Sequence, residues 1–430
     1  MRHTLHASRF TLHASMTIKF IHTGDIHFGV ENYGTTDPET GLHARFKDFI
    51  SCFDKIVHTA IKQEVDFILI CGDIYHTPNP SPTHQREFAR SVMRIIEKNI
   101  PVIVIVGNHD NPVAFGKANS LDIFTELNIK NIHVISKPDI ITLDLKEKGK
   151  IQIFCFPWPT KSRLIDKEDY KHLNSQEIDE KLQKTCNDTI EHFIVTLSPQ
   201  YPSIFAGHLA MADATYSGSE RTTLLGTDPV ILTGTLARKE FNYVALGHIH
   251  KYQNLNANSS PPVIYSGSIE RIDFNEEHEE KGFILAELKG NDLTYRFIKT
   301  PSRPMVTIEV DVRDMVDPTW EIIEEIKRRE INNAIVRIIY LTQYCYNEPL
   351  RLKDIKDTLE GAFWVHGIIR KPDEKEVTER AVISENLTFL EALDKYIEQE
   401  NLSDYSEDIK NYAQLLERHL LEEYDSKRII

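Results

Sequence analysis

The sequence is short of cysteine. Its five cysteines, Cys52, Cys71, Cys155, Cys186 and Cys345, form no CxxC pair and are odd in number. That argues against a disulfide framework and against a cysteine zinc site, and reads as reduced thiols, with Cys71 and Cys155 buried in strands. Long apolar runs are lacking too. No stretch approaches the ~20 residues of a membrane span, and no segment has the basic-then-apolar layout of a secretory signal. These absences lead to the expectation of a cytoplasmic protein with no membrane contact. Positive charge is also in deficit: 50 Lys and Arg face 65 Asp and Glu, for a net charge of −15. Taken whole, this speaks against a polyanionic substrate. The deficit is uneven, however. Residues 371–430 hold eight Lys and Arg and sixteen Asp and Glu, so they carry −8 of the total. The remainder is mildly acidic, and carboxylates that sit on metal ions do not repel a polyanion.

What is present reads as a globular chain of two or three domains, with 430 residues of which 41% are hydrophobic and 27% charged. The start is unusual. "TLHASRF" at 4–10 is followed by "TLHASM" at 11–16. Residues 1–15 read as upstream sequence ahead of a start at Met16 and are set outside the fold. From Thr17 onward, short apolar strands alternate with helical stretches. Strands are expected at 17–22, 66–71, 102–106, 151–156, 203–206, 243–246 and 262–265, and helices at 44–63 and 83–99. Several strands are continuous apolar runs, so both faces should be covered. This is an α/β domain with helices packed over sheets. It ends near 301, at the double-proline break Pro301-Ser-Arg-Pro304. A second, small α/β unit follows to about residue 372, with strands at 305–311, 334–341 and 363–370 and helices at 318–329 and 352–360. Residues 373–430 read as a linker and a helical pair, with apolar stripes at Phe389, Leu393 and Ile397 and at Tyr405, Ile409, Tyr412 and Leu416. Two uses fit these stripes: packing on the protein's own core, or docking a partner.

The chemistry gathers at the strand ends. Gly24-Asp25-Ile26-His27 follows the first strand, Gly72-Asp73-Ile74-Tyr75-His76 the second, and Gly107-Asn108-His109-Asp110 the third. Gly207-His208 and Gly247-His248-Ile249-His250 follow two later ones. Loops at such ends converge on one edge of an α/β domain, where ligands bind. In an extended chain Asp25 and His27 share a face, as do His248 and His250, so each pair can aim at one centre. Gly247 is expected to let the chain turn into it. Carboxylate, amide and imidazole without thiolate suit manganese, iron(II) or zinc. The inventory of Asp25, His27, Asp73, Asn108, His208, His248 and His250 is enough for two ions, with Asp73 able to bridge them. Any one of these short blocks occurs by chance. Five in order, each after a strand, make chance a poor account.

The ordered set "GDIH", "GDIYH", "GNHD", "GH" and "GHIH" resembles the signature of the calcineurin-like metallophosphoesterases over residues 17 to about 285. That resemblance implies a β-sandwich flanked by helices and a two-metal hydrolase, and leaves the substrate open. Three features narrow it. "GDIYHTPNPSP" lacks the arginine-containing GDxxDRG block of the protein serine/threonine phosphatases. "YSGSIERIDFNEEHEEKGF" at 265–283 is similar to the matching stretch of the SbcD-type DNA repair nucleases. The small α/β unit and the helices behind it resemble that group's capping domain and ATPase-binding helices. The resemblance implies a DNA nuclease, 3′→5′ on duplex ends and endonucleolytic on single strands and hairpins. It implies two divalent ions, most often manganese, one on Asp25, His27, Asp73 and His250 and the other on Asp73, Asn108, His208 and His248. His109 is similar to the group's catalytic histidine, and His76 to a second histidine that places the scissile strand. Asp110 either orients His109 or forms a turn. An SbcC-type coiled-coil ATPase would dock on about 385–424, and the chain would work as a homodimer near the nucleoid. The competing readings are a phosphomonoesterase or cyclic-nucleotide phosphodiesterase on the same metals, or a scaffold with a decayed site, which predicts a missing ligand where none is missing.

Overall fold

A computed structural model describes residues 17–112, 118–160, 173–218, 229–343 and 349–373, with a few further positions between 393 and 413. The extension at 1–15 lies outside the described residues. So does most of the helical pair expected at 385–424, although the few positions described there are all helical.

The strands up to residue 265 are β1 (Thr17–Thr23), β2 (Phe67–Cys71), β3 (Val102–Ile105), β4 (Ile132–Ile135), β5 (Asp139–Asp144), β6 (Lys150–Phe156), β7 (Ser203–His208), β8 (Ala210–Met211), β9 (Val230–Ile231), β10 (Tyr243–Gly247), β11 (Gln253–Asn254) and β12 (Val263–Tyr265). A hairpin of β13 (Gly282–Lys289) and β14 (Asp292–Lys299) follows. Two six-stranded sheets result, in the orders β14-β13-β1-β2-β3-β4 and β11-β12-β10-β7-β6-β5. In the first, β1 to β4 are parallel and β13 is antiparallel to β1. In the second, β12, β10, β7 and β6 are parallel.

The continuous apolar runs explain the layering. Phe20, Phe67, Leu69, Ile103 and Ile105 of the first sheet share one buried cluster with Ile151, Ile153, Ile204, Ala245 and Ile264 of the second. Alternate residues of the same strands point the other way. Ile21, Ile68, Ile70 and Val104 pack on α1 (Ala44–Gln63) and α2 (Pro82–Ile96). Phe154, Phe205, Val244 and Leu246 pack with Leu182, Cys186, Ile190 and Ile194 of the helix Ser175–Thr196. The result is a β-sandwich with helices on both outer faces, in agreement with the expectation of a helix-flanked α/β fold. α1 buries Phe46, Phe49, Phe53, Ile56, Val57 and Ala60, a stripe at helical spacing. It stops where Glu64 adopts a left-handed conformation, φ 50° and ψ 54°. Truncating Phe53 to Ala inside this stripe would cost about 3–5 kcal/mol. α2 begins at Ser81, whose hydroxyl accepts from the His84 amide, with Pro82 in the first turn. It ends three residues before the expected 99, where Asn99 is left-handed.

The chain forms two compact units. Among the described residues, the first runs from 17 to 307 and takes in 330–337 and 359–367, and the second holds 308–329, 338–358 and those from 368 onward. A three-stranded sheet orders as β15-β16-β17, with β15 at Met305–Asp311, β16 at Ile335–Thr342 and β17 at Trp364–Pro372. Within the second unit the helix Pro318–Lys327 is capped by Asp317, which accepts from the Trp320 amide at 3.1 Å. No described helix is long and apolar enough to cross a membrane.

Candidate metal centre

Five parallel strands deliver the side chains. β1, β2 and β3 lead into Asp25/His27, Asp73/His76 and Asn108/His109, while β7 ends in His208 and β10 leads into His248/His250. The two sheets approach closely at this edge. His208 Nδ1 lies 2.7 Å from the Cys71 carbonyl, and the His248 amide donates to both oxygens of Asp25 at 3.0 Å. Such approach leaves no room for a Cβ at Gly247, where it would lie 1.9 Å from the Cys71 oxygen. Gly247 is therefore needed for proximity and not for turning, which corrects the sequence expectation. The turn is made by His248 itself, with φ 106°.

Asp25, His27 and Asp73 are also left-handed, with φ of 49°, 50° and 52°. The pairs Asp25/His27 and His248/His250 therefore do not converge by the two-residue period of an extended chain. They converge because tight turns re-aim each side chain. Non-glycine residues in this region carry strain of order 1–3 kcal/mol each, which the surrounding structure must hold.

All seven expected ligands come together. Asp73 is central: its Oδ2 lies 3.7 Å from His27 Nε2 and 3.4 Å from His208 Nε2. On one side His27 Nε2 and His250 Nε2 stand 3.0 Å apart. On the other, Asn108 Oδ1 lies 2.8 Å from His208 Nε2 and 3.3 Å from His248 Nδ1. Asp25 belongs to both halves. The ligand atoms of Asp25, His27 and His250 lie within 4.8 Å of one another, and so do those of Asp25, Asp73 and His208. These residues fit a pair of divalent cations. The His27 and His250 nitrogens face each other with at most one hydrogen between them. His27 Nδ1 and His248 Nε2 are buried without a hydrogen-bond partner. The donors are oxygen and imidazole nitrogen, with no thiolate among them.

The electrostatics follow from burial. Desolvation pushes the Asp25 carboxyl up to about 6 against the pull of His208 and His250. It acts on Asp73 in the same sense, yet His208, His109 and His27 hold that carboxyl well below the usual range. Burial opposes a charged His208, but the adjoining Asp73 lifts its pKa to about 9. Burial and neighbouring imidazoles keep His27 and His248 neutral, well below the ordinary imidazole value. Near neutral pH the centre thus pairs a protonated His208 with an ionised Asp73 and offers lone pairs from His27 and His248.

His109 and His76 stand beside this cluster. Their rings stack at 5.6 Å with 15° between planes, and each meets the His27 ring edge-on, at 5.0 and 5.7 Å. His109 donates from Nδ1 to the His76 carbonyl at 2.8 Å, so its Nε2 is the nitrogen left for chemistry. Asp110 neither orients His109 nor simply forms a turn. It is fully buried and accepts from the amides of Gly107, Ile74 and Tyr75, which ties the loops after β2 and β3 together.

Three residues of the site were not anticipated. Glu276 accepts from His250 Nδ1 at 2.7 Å and pairs with the buried Lys281 at 2.9 Å. Trp158, just past β6, packs its ring 4.7 Å from His248 and 5.8 Å from His208. Trp158 follows a strand end, the one signal that could have marked it. Glu276 is one of four acidic residues between 276 and 280, and composition cannot choose among them.

A sandwich of two sheets carrying an aspartate-centred cluster of imidazoles at its strand ends defines a class. The sequence matches the family description Calcineurin-like phosphoesterase over residues 18–252, and the chain belongs to that family. Its relatives are more particular. It is 27% identical over 383 residues to the SbcD component of nuclease SbcCD from Staphylococcus epidermidis, covering 84% of this chain and 92% of that protein. It is 27% identical over 301 residues to the protein of the same name from Bacillus subtilis, covering 67% of this chain and 71% of that one. It is also 27% identical over 309 residues to a Bacillus subtilis protein called uncharacterized metallophosphoesterase YhaO, covering 70% of this chain and 65% of that protein.

Proposed function

We propose that this chain is a metal-dependent DNA nuclease of the SbcD type. One arrangement carries the reading: Asp73 stands between two clusters of imidazoles and carboxylates, with His109 beside them, its Nδ1 held by the His76 carbonyl. Asp25, His27, Asp73 and His250 would hold one ion, and Asp73, Asn108, His208 and His248 the other. Manganese suits these donors. When bound, the ions supply Lewis-acid polarisation of a phosphodiester and ionisation of a water near neutral pH.

The protein's own groups do the rest. The strained loops at Asp25, Asp73 and His248 fix the ligands before substrate arrives, so little reorganisation is left for the reaction itself. His109 is held by the His76 carbonyl in the tautomer that presents Nε2, from which it would stabilise the reacting phosphate or hand a proton to the leaving 3′-oxygen. The stacked His76 ring limits where a scissile strand can lie. Trp158 packs against His208 and His248 and would shield that half from water. In this reading residues 16–301 form the nuclease domain, 302–372 cap it, and the acidic stretch about 385–424 docks an SbcC-type ATPase. The charge of that stretch supports a protein partner over DNA. The chain would act as a homodimer on duplex ends, hairpins and single strands.

The test is direct. The purified chain is incubated with manganese and a 3′-labelled linear duplex, beside a chelator control and a phosphomonoester. Metal-dependent release of labelled nucleotide is the expected result. Monoester turnover with intact DNA would move the protein to the phosphatase side of its family.

A further inference from the structure

We propose that Glu276 is a positioning residue that fixes the metal-facing nitrogen of His250 and strengthens it as a donor, with buried Lys281 as its counter-ion. The proposal rests on His250 being a metal ligand, as read above.

Glu276 and Lys281 are 0% and 1% exposed. Glu276 Oε1 lies 2.7 Å from His250 Nδ1. Its Oε2 accepts from the Ile272 amide and from Lys281 Nζ, each at 2.9 Å. Lys281 also donates to Glu279 at 2.8 Å and to the His250 carbonyl at 3.1 Å. Oε2 thus meets two donors at once, the Ile272 amide and the buried Lys281 ammonium, which hold Glu276 as a carboxylate. An ionised carboxylate only accepts, so the His250 nitrogen facing it must carry the hydrogen. In a neutral ring the lone pair is then on Nε2. That is the atom 3.0 Å from His27 Nε2, inside the cluster with Asp25.

The contrast with His208 gives this arrangement its meaning. His208 is oriented by a neutral group, the Cys71 carbonyl at 2.7 Å. A carbonyl is enough to fix a ring and its tautomer. A fully buried carboxylate with a fully buried ammonium is a costly alternative, because both charges leave water. What an anion adds is basicity in the imidazole it orients, and such outer partners typically change metal affinity 10- to 100-fold. The fold thus treats the two halves of the centre unequally, and the half holding His27 and His250 receives the stronger donor.

The experiment uses the full chain, the variant Glu276→Gln, and the double variant Glu276→Gln with Lys281→Met, which removes both charges at similar volume. Manganese uptake is followed by calorimetry and by electron paramagnetic resonance, which separates single ions from coupled pairs. Thermal unfolding in chelator reports the fold. The expected result is that wild type binds two ions, while Glu276→Gln binds one of them about 10- to 100-fold more weakly and the other unchanged. The double variant should regain thermal stability without regaining that affinity. Wild-type uptake of both ions by Glu276→Gln overturns the proposal. So does a double variant that regains affinity together with stability, which would make Glu276 merely the partner of Lys281. A wild-type chain that binds no ion pair overturns the metal reading itself, and that failure is visible before any variant is made.

Discussion

His109 donates its Nδ1 hydrogen to the carbonyl oxygen of His76, 2.8 Å away. The bond joins the loop after β2 to the loop after β3 through a backbone acceptor, which no substitution at 76 removes. The His109 amide meanwhile donates to Asp73 Oδ1 at 2.9 Å. One residue is therefore tied to the centre by its main chain and leaves its Nε2 uncommitted.

From this, His109→Asn should keep the main-chain bond to Asp73 and lose the chemistry. DNA cleavage should fall about 10²- to 10⁴-fold, the usual contribution of a positioned acid or base. Manganese affinity, measured by calorimetry, should stay close to that of wild type, because the proposed ligand set does not include the ring. A variant with full activity would remove His109 from the mechanism. One that loses manganese would make it a ligand.

Metal affinity should depend on pH in a definite sense. His208 and Asp25 must give up protons to become ligands, and their pKa values are about 9 and about 6. Between pH 6 and 9 His208 holds a proton that a metal ion must displace, so apparent affinity should rise by at least about tenfold per pH unit. Below pH 6 Asp25 adds a further proton, and the slope should steepen by about another tenfold per unit. Proton release on manganese binding, read by calorimetry in buffers of different ionisation enthalpy, checks both. Affinity that does not change across this range would contradict the Asp73–His208 pairing.

The sequence carried much of this in its strand-end blocks. β2 and β3 are continuous apolar runs because both faces are covered, and the glycine-led ends of β1, β2, β3, β7 and β10 named seven residues that the structure brings together. Other elements left weaker marks. β4 has only four residues, one of them His133, and β14 alternates exposed and half-buried positions. The helix Ser175–Thr196 buries a single narrow line of Leu182, Cys186, Ile190 and Ile194 among polar residues. Side-chain direction was the least legible property. The left-handed turns at Asp25, His27, Asp73 and His248 go with contacts between loops far apart in sequence, the Asp25 and His27 amides on the Gly72 and Asp73 carbonyls and the His248 amide on Asp25, and local sequence does not encode such contacts. The same holds for Glu276, which is selected from its acidic neighbours by where Lys281 and His250 lie.

Behind the centre, His22 makes acid stability testable. It is fully buried, with Nδ1 2.9 Å from the Tyr243 hydroxyl and Nε2 3.1 Å from the Leu246 carbonyl. The carbonyl only accepts, so Nε2 carries the hydrogen and Nδ1 accepts from tyrosine; a second proton has no place. Burial lowers its pKa from 6.5 to about 3, opposed by the Leu246 bond. The unfolded chain therefore binds the extra proton more readily than the folded one. This stabilisation is complete above pH 6.5 and is lost as pH falls toward 3, by about 5 kcal/mol in all. His22→Leu should lower stability at pH 7.5, since Tyr243 and Leu246 lose a partner, by about 1–3 kcal/mol for each buried group left unpaired. It should also flatten the loss of stability between pH 6.5 and 4. Urea unfolding in chelator at several pH values measures both, and an acid limb as steep as wild type would mean that His22 does not titrate this way.

The last prediction concerns the ionic knot at the end of the first unit's body. Asp48, on α1, accepts from Arg45 at 2.7 Å and is gripped in bidentate fashion by Arg303 at 2.6 and 2.5 Å. The Arg45 side chain has no exposure, and Asp48 and Arg303 have 12% each. Arg45 also reaches the Arg271 carbonyl, and the Arg303 guanidinium lies 3.6 Å over the Phe363 ring. Removing the one carboxylate that both guanidinium groups share leaves two buried cations with less charge against them. Asp48→Asn should therefore cost about 3–5 kcal/mol. Asp54 on the same helix is the control. It pairs with Arg94 in the open, 44% and 47% exposed, so Asp54→Asn should cost less than about 1 kcal/mol. Denaturant unfolding of the two variants side by side decides the matter. Equal costs would show that burial does not govern these pairs; a large difference would identify Asp48 as the residue that fastens Arg303 to α1.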